Sequence, residues 1–169
     1  ANMGYCGFTD NTGEEQHLVN SSYPYIGSSV NGYGYSGNGY YKNNNSQSAT
    51  GFSTYTTDII SVYLDLDNSK IYWAKNDVME NSGTGKWGAA LPAGTFMLPA
   101  CGDFNAGSYN VLLGVNFGGC PAVAPDSAVA DAEGYGAFEF DPSRGGCDDF
   151  DGAAKDFLAI CTKNLAEYG

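Results

Sequence analysis

Hydrophobic residues in the middle of the chain recur at every second position, which is the period of a β-strand with one buried face. Val62, Leu64 and Leu66 follow this period, and we expect them to face a core together. Turn-forming residues occupy positions 67–70, and Ile-Tyr-Trp-Ala at 71–74 resumes the β-branched and aromatic composition of strands. The pattern predicts an antiparallel hairpin.

Further strands are predicted on both sides of this hairpin. Tyr alternates with Gly and Ser over positions 33–41, and shorter apolar stretches cover 1–9, 96–100 and 111–117. A second turn is expected at 75–78, because its Asn and Asp tolerate positive φ better than other non-glycine residues. The chain therefore reads as a series of short strands separated by tight connections.

Helical spacing of apolar residues is confined to residues 151–168, which predicts at most one short helix near the C-terminus. The chain contains 24 Gly and 13 Tyr among its 169 residues but only 6 Pro, and it has no triplet repeat. Many glycines among short aromatic strands are typical of turn-dense β-proteins. Composition and periodicity together predict an all-β fold, most simply an antiparallel β-sandwich.

Several segments, in order along the chain, resemble the SPRY-domain family in the form found in large tailed-phage virion proteins. They are NGYGYSGNGYYKNNN, LDLDNSKIYWAKND, TFMLPACGDFNAGSYNVLLGVNFG, FEFDPSRGG and DFLAICTKNL. The resemblance implies that residues 1–169 form a single SPRY-like antiparallel β-sandwich domain, a binding module without an active site of its own. Two departures from the family pattern imply more. The family's opening strand is absent, which suggests a fragment of a longer chain, and residues 120–147 are longer than usual, which suggests a surface insertion.

The chain is strongly acidic, with 19 Asp and Glu against 7 Lys and Arg and a net charge of −12. Such a surface repels phosphate backbones, so we expect no nucleic-acid partner. No stretch has the length and hydropathy of a membrane span, so we expect no membrane insertion. The same charge is typical of an exposed, soluble surface such as that of a virion protein.

The sequence does not contain a recognisable catalytic motif, and we expect no enzyme activity and no cofactor. His17 is the only histidine, in a polar segment, and no GxSxG, HExxH or phosphate-binding loop is present. Asp65 and Asp67 belong to a predicted strand and turn, where carboxylates ordinarily accept backbone N–H groups. The acidic run at 148–152 has only part of the spacing of a calcium loop, so no metal site is predicted.

Four of the five cysteines fall into two groups. Cys6 and Cys101 are in apolar strand patterns and are expected to be small buried side chains. Cys120 and Cys147 bracket the expected insertion, where either a disulfide or two free thiols fit the sequence. A disulfide there would close a loop of about 28 residues and contribute about 3–4 kcal/mol in the chain-entropy model.

The candidate binding residues are aromatic and amide side chains, which are the residue types that binding loops use for rigid contact area and adaptable hydrogen bonds. They are Tyr40, Tyr41, Asn43, Asn44, Asn45 and Trp87. An alternative stays open: tyrosines in alternating strands can fill a core, and asparagines can serve only to form turns.

The function expected from these observations is that of a non-catalytic binding or structural module of a phage virion protein, such as a tail fibre or appendage. Its expected partners are a host cell-surface glycan or protein, or neighbouring virion subunits in a homo-oligomeric assembly. The alternative is a cellular SPRY-type or lectin-like domain that binds proteins or glycans.

Overall fold

A computed structural model describes residues 4–10, 25–86, 95–103, 112–119, 124–144 and 155–168. The chain divides into two compact units, Ala1–Leu112 and Leu113–Gly169. The single domain over residues 1–169 therefore stays a prediction. No helix within the described ranges is both long and apolar enough to cross a membrane.

The first unit is built from two antiparallel sheets. Its strands are β1 (Gly4–Asp10), β2 (Gly32–Ser36), β3 (Tyr40–Asn43), β4 (Ser46–Ser48), β5 (Ile60–Asp65), β6 (Lys70–Lys75), β7 (Val78–Met79) and β8 (Met97–Asp103). One sheet has five strands in the order β4-β3-β2-β1-β8, and the other has three in the order β5-β6-β7. The fold of the described residues is all-β and sandwich-like, as the sequence predicted.

An aromatic core lies between the two sheets. Its buried members are Phe8, Tyr35, Phe52, Tyr55, Ile71 and Trp73, and Cys6, Tyr33, Tyr41, Ile60, Val62, Leu64 and Met97 pack against them. Trp73 is at the centre: its ring meets those of Tyr35, Phe52 and Tyr41 edge-on, at centroid distances of 6.5, 5.9 and 5.8 Å. Edge-to-face contacts of this kind add about 0.5–1.5 kcal/mol each beyond burial.

The alternation of Gly and Tyr in β2 gives the five-stranded sheet two different faces. Tyr33 and Tyr35 point into the core, whereas Gly32 and Gly34 place no side chains on the opposite face. The segment 25–30 lies over that face: a Cβ at Gly34 would come within 2.9 Å of the Ile26 carbonyl oxygen. Glycine is therefore required by close backbone approach and not only by turn formation.

The predicted antiparallel hairpin is confirmed, although its turn covers 66–69 instead of 67–70. β5 pairs with β6 from Ile60↔Lys75 to Asp65↔Lys70. The second turn is also confirmed, since Asn76 and Asp77 have φ of 45° and 73° between β6 and β7. Positive φ at both central positions matches the twist of a two-residue hairpin.

Three details of the predicted strands are wrong. Leu66 was expected to face the core but is 56% exposed, because β5 ends at Asp65 and Leu66 begins the turn. The stretch 33–41 is two strands, interrupted by a turn in which Gly39 has a φ of 84°. Residues 112–117 form no strand although their apolar pattern predicted one, and Leu112 is fully exposed. Periodicity shows that a segment is suited to a strand, but a strand forms only where another segment lies alongside to pair with it.

The second unit contains a two-stranded sheet, β9 (Ser143–Arg144) with β10 (Lys155–Asp156), and one short helix, α1 (Thr162–Tyr168). The prediction of at most one short C-terminal helix is confirmed for the described residues. Val129 and Phe138 exchange two backbone hydrogen bonds of 2.8 Å, so this part of the expected insertion at 120–147 is paired backbone.

The buried carboxylate of Asp131 organises this unit. Its Oδ1 accepts the N–H groups of Glu133 and Tyr135 at 3.1 and 2.8 Å, and its Oδ2 accepts the Ala159 N–H at 2.9 Å and the Asn164 amide at 2.7 Å. Burial alone would raise the pKa of Asp131, but these donors hold it below the ordinary value. One side chain thereby ties α1 to the turn at 131–135.

The Asn-Phe-Gly segment at 116–118 also stabilises the second unit through local hydrogen bonds and close packing. The Asn116 amide donates to the Ala137 carbonyl oxygen, and its Oδ1 accepts the Gly118 N–H, both at 2.7 Å. Gly118 has a φ of 89°, and a Cβ there would lie 2.8 Å from both Ala159 and Phe138. This tight packing requires glycine.

Replacing Ile71 by Ala should lower the free energy of unfolding by about 2–5 kcal/mol, because Ile71 is fully buried between the sheets. Leu66→Ala is the matched control and should change it by less than about 0.5 kcal/mol, since Leu66 is in an exposed turn. Urea unfolding measures both. Equal costs for the two variants would contradict the exposed position of Leu66.

Asp131→Asn should loosen α1, because an amide cannot accept from four donors. We expect exchange of the Leu165 N–H, which bonds the Cys161 carbonyl oxygen, to quicken by an amount equivalent to about 2 kcal/mol. The lowered pKa of Asp131 means that its stabilisation is complete well above pH 3.8 and is lost as the pH falls through the folded-state value. Hydrogen exchange against pH measures this, and the exposed Asp126→Asn change should leave the profile intact.

Candidate binding surface

The β3–β4 hairpin carries three of the six predicted binding residues at its tip. Asn43 pairs with Ser46, and between them Asn44 and Asn45 have φ of 51° and 55°. Asparagine is among the few non-glycine residues that adopt this conformation readily. The segment 43–50 therefore contains a tight turn and the edge strand β4.

Asn43 is committed to structure. Its amide nitrogen donates to the carbonyl oxygens of Val30 and Gly32 at 3.0 and 2.9 Å. The backbone N–H groups of Asn44 and Asn45 donate to Ser29 and Gly27 at 2.9 and 3.0 Å. These bonds attach the hairpin tip to the segment 25–30, and the bond to Gly32 attaches it to the start of β2. The backbone of the tip is therefore fixed in place.

The two adjacent tyrosines of β3 point to opposite faces of the sheet. Tyr41 faces inward, where its ring stacks on Phe52 at 6.0 Å and meets the edge of Trp73 at 5.8 Å. Burial raises the pKa of the Tyr41 hydroxyl. This arrangement favours the core alternative for Tyr41 over the role of a binding anchor.

Tyr40 faces outward and belongs to a second cluster, which we call the outer tyrosine cluster. It consists of three tyrosines, Tyr5, Tyr25 and Tyr40, together with Lys42. The rings of Tyr5 and Tyr25 are stacked at 5.2 Å. The Lys42 ammonium lies 5.1 Å from the Tyr25 ring centroid and 5.9 Å from that of Tyr40. Lys42 is only 7% exposed, and burial lowers its pKa. Aromatic faces offset part of the cost of burying its charge.

The outer tyrosine cluster and the hairpin tip meet through one hydrogen bond. The Tyr25 hydroxyl donates to Asn45 Oδ1 at 2.7 Å, at an exposed position. Asn44 and Asn45 are exposed, Tyr25 is half-buried beside Asn45, and Tyr40 is half-buried against Lys42. The result is a polar tip with a fixed backbone and an adjacent aromatic ring, with chemistry suited to hydrogen bonding and to contact with the C–H faces of a ligand.

Other predicted residues lie outside the described part of the chain. They are His17, Trp87, Cys120 and Cys147. The binding role of Trp87 therefore stays a prediction, and both alternatives for Cys120 and Cys147, a disulfide or two free thiols, stay open. The prediction that Cys101 is buried is wrong. Its side chain is exposed, because β8 is at the edge of the five-stranded sheet.

The carboxylate at the first hairpin turn has a structural role. Asp65 accepts the Asn68 N–H at 3.1 Å and the Asn68 amide at 2.8 Å, so Asp65, and not Asp67, caps this turn. Within the described residues, no group of three or more His, Cys, Asp or Glu could hold a metal ion.

The contact between Tyr25 and Lys42 was not predicted from the sequence. Tyr25 was one of several tyrosines in a polar stretch, and Lys42 showed no pattern that distinguishes it from a solvated lysine. Their contact depends on the segment 25–30 folding back over β2 and β3. The glycines of β2 were the available signal, because a strand face without side chains leaves room for such a covering segment.

Comparison with known proteins adds no assignment. A scan of the chain against models of protein families found no match, and a search of curated proteins found none either.

Tyr41→Ala should lower the free energy of unfolding by about 2–4 kcal/mol, because it removes a ring from the core. The neighbouring Tyr40→Ala should cost about 1 kcal/mol, since it removes a half-buried ring near Lys42. Urea unfolding of the two variants distinguishes the roles. A cost for Tyr40→Ala as large as that for Tyr41→Ala would contradict the assignment of faces.

Proposed function

We propose that this chain is a non-catalytic binding module of a tailed-phage virion protein, such as a fibre or appendage. Its partner is a host cell-surface glycan or protein, or a neighbouring virion subunit. The resemblance of five sequence segments to SPRY domains supports the virion context, and the sandwich-like fold is compatible with it.

One observation carries the location of the proposed binding surface: the backbone of the hairpin tip is fixed while its side chains are exposed. Asn44 and Asn45 project from a turn held by bonds to Ser29 and Gly27. A rigid backbone reduces the conformational entropy lost on binding, so exposed amides on such a turn can contribute affinity efficiently. Half-buried Tyr25, whose hydroxyl donates to Asn45, provides apolar contact next to them.

The net charge of −12 restricts the partner. A strongly anionic surface is repelled by polyanions, so the proposed ligand is a neutral or weakly charged glycan, or a protein surface with exposed cations. Near the tip, the Lys42 ammonium is directed toward tyrosine rings, so it is not positioned as a free anion receptor.

Replacing Asn44 and Asn45 together by Gly should weaken binding at least about tenfold, because it deletes both amides while glycine keeps the positive-φ turn. The measurement is adsorption of the assembled particle to host cells, alongside binding of the intact parent protein to purified surface polysaccharide and to isolated virion subunits. These parallel arms separate the partner classes.

Asn76→Gly is the matched control, since it also removes a positive-φ asparagine from a tight turn, but in the other sheet. It should leave adsorption unchanged. If the double variant folds normally and adsorbs like the original chain, the hairpin tip is not the binding surface. Hydrolysis of the polysaccharide, detected as new reducing ends, would contradict the non-catalytic role.

A further inference from the structure

Two free thiols are directly opposed across the edge of the five-stranded sheet. Cys6 in β1 pairs with Cys101 in β8, and neither is in a disulfide. Directly opposed residues of antiparallel strands project to the same face of the sheet. A bond between the two sulfurs therefore depends on the spacing of the two strands at this pair.

The strand register identifies which kind of pair they form. Pro99, two residues before Cys101, is opposite Phe8 and has no N–H, so that pair cannot exchange two backbone hydrogen bonds. Pair types alternate along a ladder, so Cys6 and Cys101 share the non-hydrogen-bonded type of Phe8 and Pro99.

Hydrogen bonds on the other side of β1 lead independently to the same result. The Asp10 N–H donates to the Asn31 carbonyl oxygen at 3.0 Å, and the Gly4 carbonyl accepts the Gly37 N–H at 2.9 Å. Even-numbered residues of β1 therefore direct their backbone groups toward β2 and away from β8. Cα atoms of non-hydrogen-bonded pairs are about 4.5 Å apart, at the near end of the disulfide range of about 4.4–6.8 Å.

The two thiols differ in access. Cys101 is exposed on the edge strand, whereas Cys6 is half-buried against the core, with its Sγ 3.8 Å from both the Tyr55 hydroxyl and the Tyr35 carbonyl oxygen. Burial raises the pKa of the Cys6 thiol to about 12. Because Cys101 is the more accessible thiol, an external oxidant reaches it first and Cys6 is the resolving thiol. The raised pKa leaves little Cys6 thiolate at neutral pH, so we expect the resolving step to be slow and to quicken as the pH rises.

We propose that Cys6 and Cys101 are a redox modification site that forms a reversible cross-strand disulfide by exchange with a small-molecule disulfide such as oxidised glutathione. The Cys101 thiolate attacks one sulfur of glutathione disulfide, forms a mixed disulfide and expels one glutathione thiolate. The Cys6 thiolate then attacks the Cys101 sulfur, and the second glutathione thiolate leaves. The two cysteines lose two electrons to one glutathione disulfide, and their two protons pass to the released thiolates.

The bond would staple the edge strand β8 to β1. β8 is at the end of the sheet order, and a covalent link would hold it there through thermal fluctuations. Disulfides across non-hydrogen-bonded pairs have their Cβ atoms at or beyond the preferred separation, which makes them easier to reduce than relaxed structural disulfides. This site is independent of the function proposed above.

The test incubates the purified full chain with excess oxidised glutathione at mildly alkaline pH, followed by alkylation, digestion and tandem mass spectrometry. We expect a peptide containing Cys6 linked to one containing Cys101, with the loss of two hydrogens, and its disappearance on treatment with dithiothreitol. The thermal midpoint should rise on oxidation. In Cys101→Ser neither the link nor the rise should occur, and this exposed substitution should leave folding intact.

Cys161→Ser is the matched control, because Cys161 is also a free thiol but belongs to the second unit. It should leave both the link and the rise in thermal midpoint unchanged. Accumulation of a glutathione adduct on Cys101 while Cys6 remains open to alkylation after unfolding would overturn the proposal. Pairing of either cysteine with a different partner would overturn it as well.

Discussion

The position of Trp73 is the constraint on which the first unit depends. Its ring lies between the two sheets, against Tyr35, Tyr41 and Phe52, and its indole N–H donates to the Cys6 carbonyl oxygen at 3.2 Å. A large buried aromatic with a satisfied polar atom fixes both the separation of the sheets and their register. Because Tyr41 is needed on this side, Tyr40 must face outward, where it meets Lys42.

The connection between the sheets reinforces this arrangement through buried and partly buried hydrogen bonds. The Tyr55 hydroxyl is within hydrogen-bonding distance of two carbonyl oxygens, that of Gly4 at 2.8 Å and that of Tyr35 at 2.9 Å. One side chain therefore links the connecting segment to β1 and β2. Glu80 accepts both the backbone N–H and the hydroxyl of Ser53. Buried hydrogen bonds of this kind contribute little net energy but are costly to break, so they favour one packing over others.

The outward face shows how a structural demand can prepare a surface for recognition. Glycines in β2 admit the segment 25–30, and the bonds that hold this segment also hold the backbone of Asn44 and Asn45. The side chains of these two asparagines are left exposed on a fixed turn. The proposed binding surface is therefore a consequence of the same packing that closes the sheet face, which is why it combines rigidity with exposed amides.

The sequence alone determined the all-β fold, the β5–β6 hairpin, the β6–β7 turn and the short helix, because period and turn chemistry are local properties. Only the tertiary structure decided which of two adjacent tyrosines enters the core, that Leu66 is exposed, and that residues 112–117 have no strand partner. It also brought together Asp131 with Asn164 and Cys6 with Cys101, which are far apart in sequence. Such contacts depend on long-range pairing and on the approach of distant backbone, which no local pattern encodes.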